Sequence, residues 1–503
     1  LIYRMGIIQK DALRTAIVSY VGMLLGYVNK VLLFVIFLTQ EEVGLISLIF
    51  QLGLLFAQFA NLGSINSIWK FFPYFNNPEK KHYGFLSLNL LIALTGFLLV
   101  SIIYIVFQDS IKNYFETKSS MFIDYYYWVL FLGVLILIFK LLENYLRALY
   151  KNVFAVIAND FIFRLVNMMI LVLYGFKWFH FDTLLVLICI SQAIPAMLLI
   201  CYTIYLNEWY INPKSISIPK KFQKIILVFS MYSYLNSLAA IIVISLDSIM
   251  IAGLIGLADL GAYGIVLYLI RAIMIPCGSI MKVSSPIVAQ HWKDRNMVKM
   301  NELYKRVSSV TLFISLFLFL GTWVSIDEIF SLLPKEYAIG IPVFLILMIG
   351  RTLDMYMGLN GIILVSSKKY KYDIIFTGSL ILLVYVLNLF FIPKWGILGA
   401  ALSTTFAYFT YNFLRLFFVW KWYKIHPFKL SQLKVFVLFG LVLTLLLWLD
   451  FDIGKKWINL SINSILVIIG FPVVLYLTKI DSEIVEYVDK VLSKLRLKLR
   501  KKK

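Results

Sequence analysis

The residues most able to do chemistry in this chain are charges set inside long apolar runs. Lys30 is the only full charge in the 23-residue run Ala16 to Leu38, AIVSYVGMLLGYVNKVLLFVIFL. An ammonium there is costly unless it snorkels to a surface about 12 Å away or faces a partner or a wet cavity. The other charges of this kind favour the cavity. They are Lys140 and Glu143, Asp160 and Arg164, Asp247, Arg271 and Lys282, Arg351 and Asp354, and Arg415. Lys140/Glu143, Asp160/Arg164 and Arg351/Asp354 are spaced to neutralise each other along one helix face, which leaves a structural role as open to them as a functional one. Arg271 has no acidic residue within one helical turn of it along the sequence. It falls near mid-depth of its run, as do Arg164 and Arg351. Several guanidinium groups at one depth suit a phosphate-bearing ligand, because their forks match phosphate oxygens. Pro276 follows Arg271 within its run and predicts a kink able to serve as a gating hinge, whereas Pro195 reads as a static bend.

The elements that must position these charges are membrane helices. The chain has 503 residues, is 61% hydrophobic and 15% charged, and has a mean hydropathy of +0.88. Soluble domains carry roughly 25% charged residues. Apolar runs predict fourteen spans: 16–38, 43–69, 83–107, 125–147, 153–174, 182–206, 223–252, 261–289, 307–325, 339–366, 372–391, 397–420, 433–449 and 457–477. Tyr and Trp cluster at their ends, as at Tyr125-Tyr126-Tyr127-Trp128 and Trp422-Tyr423, in the manner of an interfacial belt. With the N-terminus inside, 33 of the 47 Lys and Arg fall on inner segments and 7 on outer loops, which predicts both termini in the cytoplasm. The net charge of +21 therefore faces anionic lipid, and no nucleic-acid motif accompanies it.

Cys189, Cys201 and Cys277 lie in apolar segments without metal or redox spacing, and the four histidines are scattered, so no metal site and no catalytic residue is expected. The chain opens on Leu1 with Met5 close behind as an alternative start. No cleavage pattern is seen, and the first apolar helix is expected to stay as an anchor. The tail from Ser482 to Lys503 spaces Ile484, Val488, Leu492, Leu495 and Leu499 among lysines, which fits either an amphipathic helix on the inner surface or a solvated tail.

The sequence also repeats at an offset of 217. Glu42-Val43-Gly44 meets Asp259-Leu260-Gly261, Lys151 meets Lys368, and Lys177-Trp178 meets Lys394-Trp395. Spans 1–6 thus match spans 7–12, related by an axis along the membrane normal. The offset sets Lys30 opposite Asp247. The domain reading is an N-terminal bundle (1–209), a C-terminal bundle (210–426), two added helices (427–480) and a basic tail (481–503).

Two six-helix halves plus two helices resemble the multidrug/oligosaccharidyl-lipid/polysaccharide exporter superfamily. Met5-Gly6-Ile7-Ile8, Thr39-Gln40-Glu41-Glu42-Val43-Gly44-Leu45, Leu246-Asp247 and Leu260-Gly261-Ala262-Tyr263 resemble its bacterial polysaccharide-biosynthesis flippases. The resemblance implies an all-α membrane protein with two pseudo-symmetric bundles forming a V around a cationic cavity. It also implies a multi-pass location in the bacterial cytoplasmic membrane. The implied cargo is an undecaprenyl-diphosphate-linked oligosaccharide, moved to the outer leaflet by alternating access, with a polysaccharide polymerase and other assembly proteins as partners. No cofactor is implied. A proton, a sodium ion or the membrane potential remains open as the driving force. The expected cavity residues are Arg271 as main diphosphate contact, Lys30 as helper, Asp247 holding Lys30 when the cavity is empty, and Arg164, Arg351 and Lys140. Three rivals stand beside this reading. A lipid II flippase would need a similar cavity, but Asn29-Lys30 departs from the Arg-Asp pair associated with that branch. A drug/cation antiporter would use carboxylates such as Asp247 and Asp354. A membrane polymerase would carry a large outer loop with Arg and His, which is not found.

Overall fold

The computed structural model describes residues 2–212, 216, 220–449, 459, 465–467, 470–474, 483, 485–486 and 489. Most of the expected span 457–477 and most of the basic tail lie outside the described residues. All described secondary structure is helical. Among the described residues, eleven helices are long and apolar enough to cross a bilayer, or twelve if one bent pair counts as a single span. They are α1 Ile17–Phe37, α2 Gln40–Ala60, α3 Lys81–Val106, α4 Trp128–Ala148, α5 Asn152–Gly175, α6 Phe181–Tyr205, α7 Phe222–Leu254, the bent pair α8 Leu257–Ile273 and α9 Ile275–Lys293, α10 Met297–Val324, α11 Lys335–Met357, α12 Lys371–Tyr423 and α13 Leu430–Trp448.

The expected eleventh and twelfth spans run together as α12. Its 53 residues would measure about 80 Å if straight, far more than the hydrocarbon core. Gly396 breaks it with φ 57° and ψ −138°, a conformation open to glycine and costly for any residue with a Cβ.

The chain groups into two compact units, Leu1–Tyr268 and Leu269–Lys503. In the first unit α2 packs along α4 and α7. Polar pairs stitch α7 to its neighbours: Ser245 Oγ donates to Gln51 (3.3 Å), and Gln58 Nε2 donates to Ser237 (2.9 Å). In lipid such interhelical bonds hold helices that the hydrophobic effect does not drive together.

The sequence motifs explain the local geometry. Thr39 and Glu42 cap α2 reciprocally, each side chain taking the other residue's backbone N–H. Gly44 and Gly261 let α2 and α8 cross backbone to backbone. A Cβ on Gly44 would lie 1.8 Å from the Leu257 carbonyl, and one on Gly261 would lie 2.2 Å from that of Gln40. The two contacts are reciprocal at the 217-residue offset. Tyr263, from the same motif, donates its hydroxyl to buried Asp247 at 2.9 Å.

In the second unit α11 packs against α10 and α12. Arg415 of α12 bonds Asp373, and its guanidinium lies 4.1 Å from the Tyr411 ring centroid. The α8/α9 bend of 52° falls at Met274. Pro276 sits in the first turn of α9, where its missing N–H costs no helix bond.

Candidate functional site

Within the first unit, α1 and α5 each carry one π-helical turn, Val28–Leu33 and Ile157–Ile162. Each turn packs against the other helix. Such turns are frequent at functional sites, because they re-aim side chains that a regular helix would point elsewhere. Gly22 and Gly26 of α1 make the close approach possible. A Cβ on Gly22 would lie 2.2 Å from the Asp160 carbonyl oxygen. On Gly26 it would lie 2.4 Å from the Tyr268 hydroxyl and 2.9 Å from Arg164 Nη1. Small residues four apart are a common device for close helix contact in membranes.

A cavity of about 280 Å³ opens beside these turns, with Asn29, Lys30, Asn159, Arg164, Asn167 and Tyr268 as its polar wall. Phe34, Phe50 and Phe163 supply aromatic surface. Lys30 Nζ lies 5.9 Å from the Tyr268 ring centroid. Arg164 Nη2 is 3.8 Å from Asp160, longer than a good hydrogen bond. Asp160 also accepts from Ser19 Oγ and from Asn159 Nδ2 at 3.0 Å each. The wall thus carries two cationic side chains, Lys30 and Arg164, with Asp160 within ion-pair distance of the second.

The structure brings Lys30 and Arg164 to one cavity and leaves the other expected residues outside that wall. Asp247 is buried and bonded to Tyr263. Lys140 donates to Glu143 at 2.9 Å, and Arg147 meets the same carboxylate at 3.3 Å. Arg351, in the second unit, lies 3.5 Å from Asp354 and 4.8 Å from the Tyr408 ring centroid. Arg271 is exposed on α8, three residues before the Met274 break. Sequence reasoning missed Asn29, Asn159, Asn167 and Tyr268.

Comparison with known proteins adds the family. The sequence model for polysaccharide biosynthesis proteins matches residues 8–292, more than half of the chain. The chain belongs to the polysaccharide biosynthesis protein family. Among proteins of curated function, none matches it in sequence. The fold of this polysaccharide biosynthesis protein is similar to that of the lipid II flippase MurJ in an inward closed conformation. The TM-score is 0.72 at 16% identity, over 93% of this chain and 99% of that one. It is also similar to an inward-facing multidrug resistance MATE family transporter of the MOP superfamily, with TM-score 0.65, 12% identity, and 81% and 98% covered. A MOP superfamily transporter from Pyrococcus furiosus gives 0.58 at 15% identity, with 83% and 96% covered. At these identities the likeness establishes the fold. The polysaccharide biosynthesis protein is a multi-pass membrane protein with a MurJ/MATE-like fold.

Proposed function

We propose that this protein is a flippase that carries an undecaprenyl-diphosphate-linked oligosaccharide, a surface-polysaccharide or O-antigen precursor, from the cytoplasmic to the outer leaflet. The observation that carries the reading is the pair of cations, Lys30 and Arg164, on the wall of one cavity within a membrane-spanning unit. A diphosphate cannot enter hydrocarbon unaided, since burying an unpaired charge costs many kcal/mol. Fixed cations in a polar cavity take the place of its water, while the lipid tail stays in the bilayer. Family membership and a transporter-like fold support the same reading. Transport is by alternating access, with rocking about the α8/α9 bend at Met274. Arg271, close to that bend, is proposed as a further diphosphate contact. The protein sits in the cytoplasmic membrane with both termini inside, performs no covalent chemistry, and works beside a polysaccharide polymerase.

The test is depletion followed by complementation. Depletion should accumulate lipid-linked oligosaccharide on the inner leaflet. A Lys30→Ala/Arg164→Ala protein should reach the membrane at normal levels and fail to restore export. Full restoration would remove the cavity from the mechanism. A lipid II flippase would use the same cation chemistry, and the lipid that accumulates separates the two cargoes.

A further inference from the structure

Asn29 stands beside Lys30 in the π-helical turn of α1 and forms part of the cavity wall. It is buried, with 5% of its surface exposed. Its Nδ2 donates to the Arg164 carbonyl at 2.7 Å. That bond fixes the amide, because only the nitrogen end can donate to a carbonyl. The Oδ1 is therefore an acceptor, and among the described residues nothing donates to it. Native interiors leave few polar atoms in that condition. Asn167, on the same wall, behaves differently: its Nδ2 donates to Phe163 O at 2.9 Å, and its Oδ1 accepts from Ser191 at 3.2 Å. The unmatched acceptor is thus a property of Asn29 and not of asparagines in this cavity generally.

The wall asks for two kinds of group at once. Lys30 and Arg164 only donate, and they call for anionic oxygens. Asn29 Oδ1 only accepts, and a bare phosphate oxygen there would repel it. It calls for an O–H or N–H. The rings of Phe34, Phe50, Phe163 and Tyr268 offer flat apolar surface suited to the C–H face of a sugar. A hydroxylated ring directly joined to phosphate meets all three demands.

We infer that the cavity binds the sugar attached to the diphosphate, and that Asn29 Oδ1 accepts a hydrogen bond from a hydroxyl or amide N–H of that sugar. The inference rests on the reading that Lys30 and Arg164 hold the phosphate. It makes Asn29 a specificity residue: a cargo whose first ring lacks a donor at that place is held more weakly.

The test uses the purified full chain in detergent and two probes of equal ring size and charge, a hexose 1-phosphate and cyclohexyl phosphate. The wild-type protein should bind the hexose 1-phosphate about tenfold more tightly, the size expected when a buried acceptor gains its donor. Asn29→Ala should shrink that ratio to about twofold or less. Equal affinities in the wild-type protein would overturn the role of Asn29 and leave the phosphate reading standing, and that comparison needs no variant. An unchanged ratio in a folded Asn29→Ala protein would overturn it as well. If neither probe binds, and inorganic pyrophosphate does not bind, both the inference and the phosphate reading fall.

Discussion

Replacing Gly26 by alanine puts a methyl carbon 2.4 Å from the Tyr268 hydroxyl and 2.9 Å from Arg164 Nη1, where ordinary contact begins at 3.4 Å. The hydroxyl must retreat by about 1 Å and the guanidinium by about 0.5 Å to restore normal contact. Both are tips of flexible side chains, so the helices need not move. Alanine gains up to about 1 kcal/mol of helix propensity over glycine, and mild overpacking costs about 1 kcal/mol. Stability should therefore change by less than about 1 kcal/mol. Ligand positioning should suffer much more, since a misplacement of about 1 Å in a positioning group can cost on the order of 100-fold. Gly22→Ala is the contrasting change. Its methyl would lie 2.2 Å from the Asp160 carbonyl oxygen, which is backbone and cannot swing aside. Here α1 and α5 must part, at a cost of about 3 kcal/mol. The assay pairs thermal unfolding of the purified protein with export in a depleted strain. Gly26→Ala should unfold near the wild-type temperature and export poorly, whereas Gly22→Ala should unfold earlier. Wild-type export by Gly26→Ala, or equal unfolding of the two variants, would contradict this packing of α1 against Tyr268, Arg164 and α5.

Gly44→Ala and Gly261→Ala should each lower the unfolding temperature and the amount of protein in the membrane, because each methyl meets backbone across the α2/α8 crossing; wild-type stability in either would contradict that packing. Arg271→Ala should abolish export with insertion unchanged, and Arg271→Lys should restore part of it, since a point charge lacks the fork geometry. Full export by Arg271→Ala would remove Arg271 from the phosphate contacts and leave Lys30 and Arg164. Asp247→Asn should be mild, because an amide oxygen still accepts the Tyr263 hydroxyl; loss of export equal to that of Arg271→Ala would show that its charge matters. His426, in the loop after α12, is held below its usual imidazole range by burial and then by the charge of Lys305. The unfolded chain therefore takes up that proton first. The His426 contribution to stability should be complete above its ordinary pKa of 6.5, fall as the pH drops through that value, and level off below the folded value. Unfolding temperatures of wild type and His426→Asn should then diverge between about pH 8 and about pH 5, and parallel curves would contradict the assignment.

What was legible in the sequence follows from what physics makes local. Apolar length located the membrane helices, and the cost of an ammonium in hydrocarbon pointed Lys30 at a cavity. The i,i+3 and i,i+4 spacings foretold the Lys140/Glu143, Asp160/Arg164 and Arg351/Asp354 contacts. The motif glycines had a reason visible only in three dimensions, the Gly44/Gly261 crossing. Arg415 finds Asp373 from 42 residues away, a distance that no helical spacing reveals. The π-helical turns left no trace in the sequence, because packing of α1 on α5 sets that register rather than local propensity. Asn29 was visible only as a departure from a familiar pair, and its chemistry appears once Nδ2 is seen to be engaged. Gly22 and Gly26 were a readable signal: their spacing of four within an apolar run marks a close helix contact. Spans eleven and twelve merged because Gly396 bends the chain without leaving a loop.

The most direct test of the account is translocation by the purified protein in proteoliposomes. A lipid-linked diphosphate oligosaccharide is placed in one leaflet, and its appearance in the other is followed with an impermeant sugar-modifying reagent. The wild-type chain should give transfer well above the protein-free rate, and Lys30→Ala/Arg164→Ala should give transfer at the protein-free rate. Wild-type transfer no faster than in empty vesicles, or equal transfer by the double variant, would contradict the account.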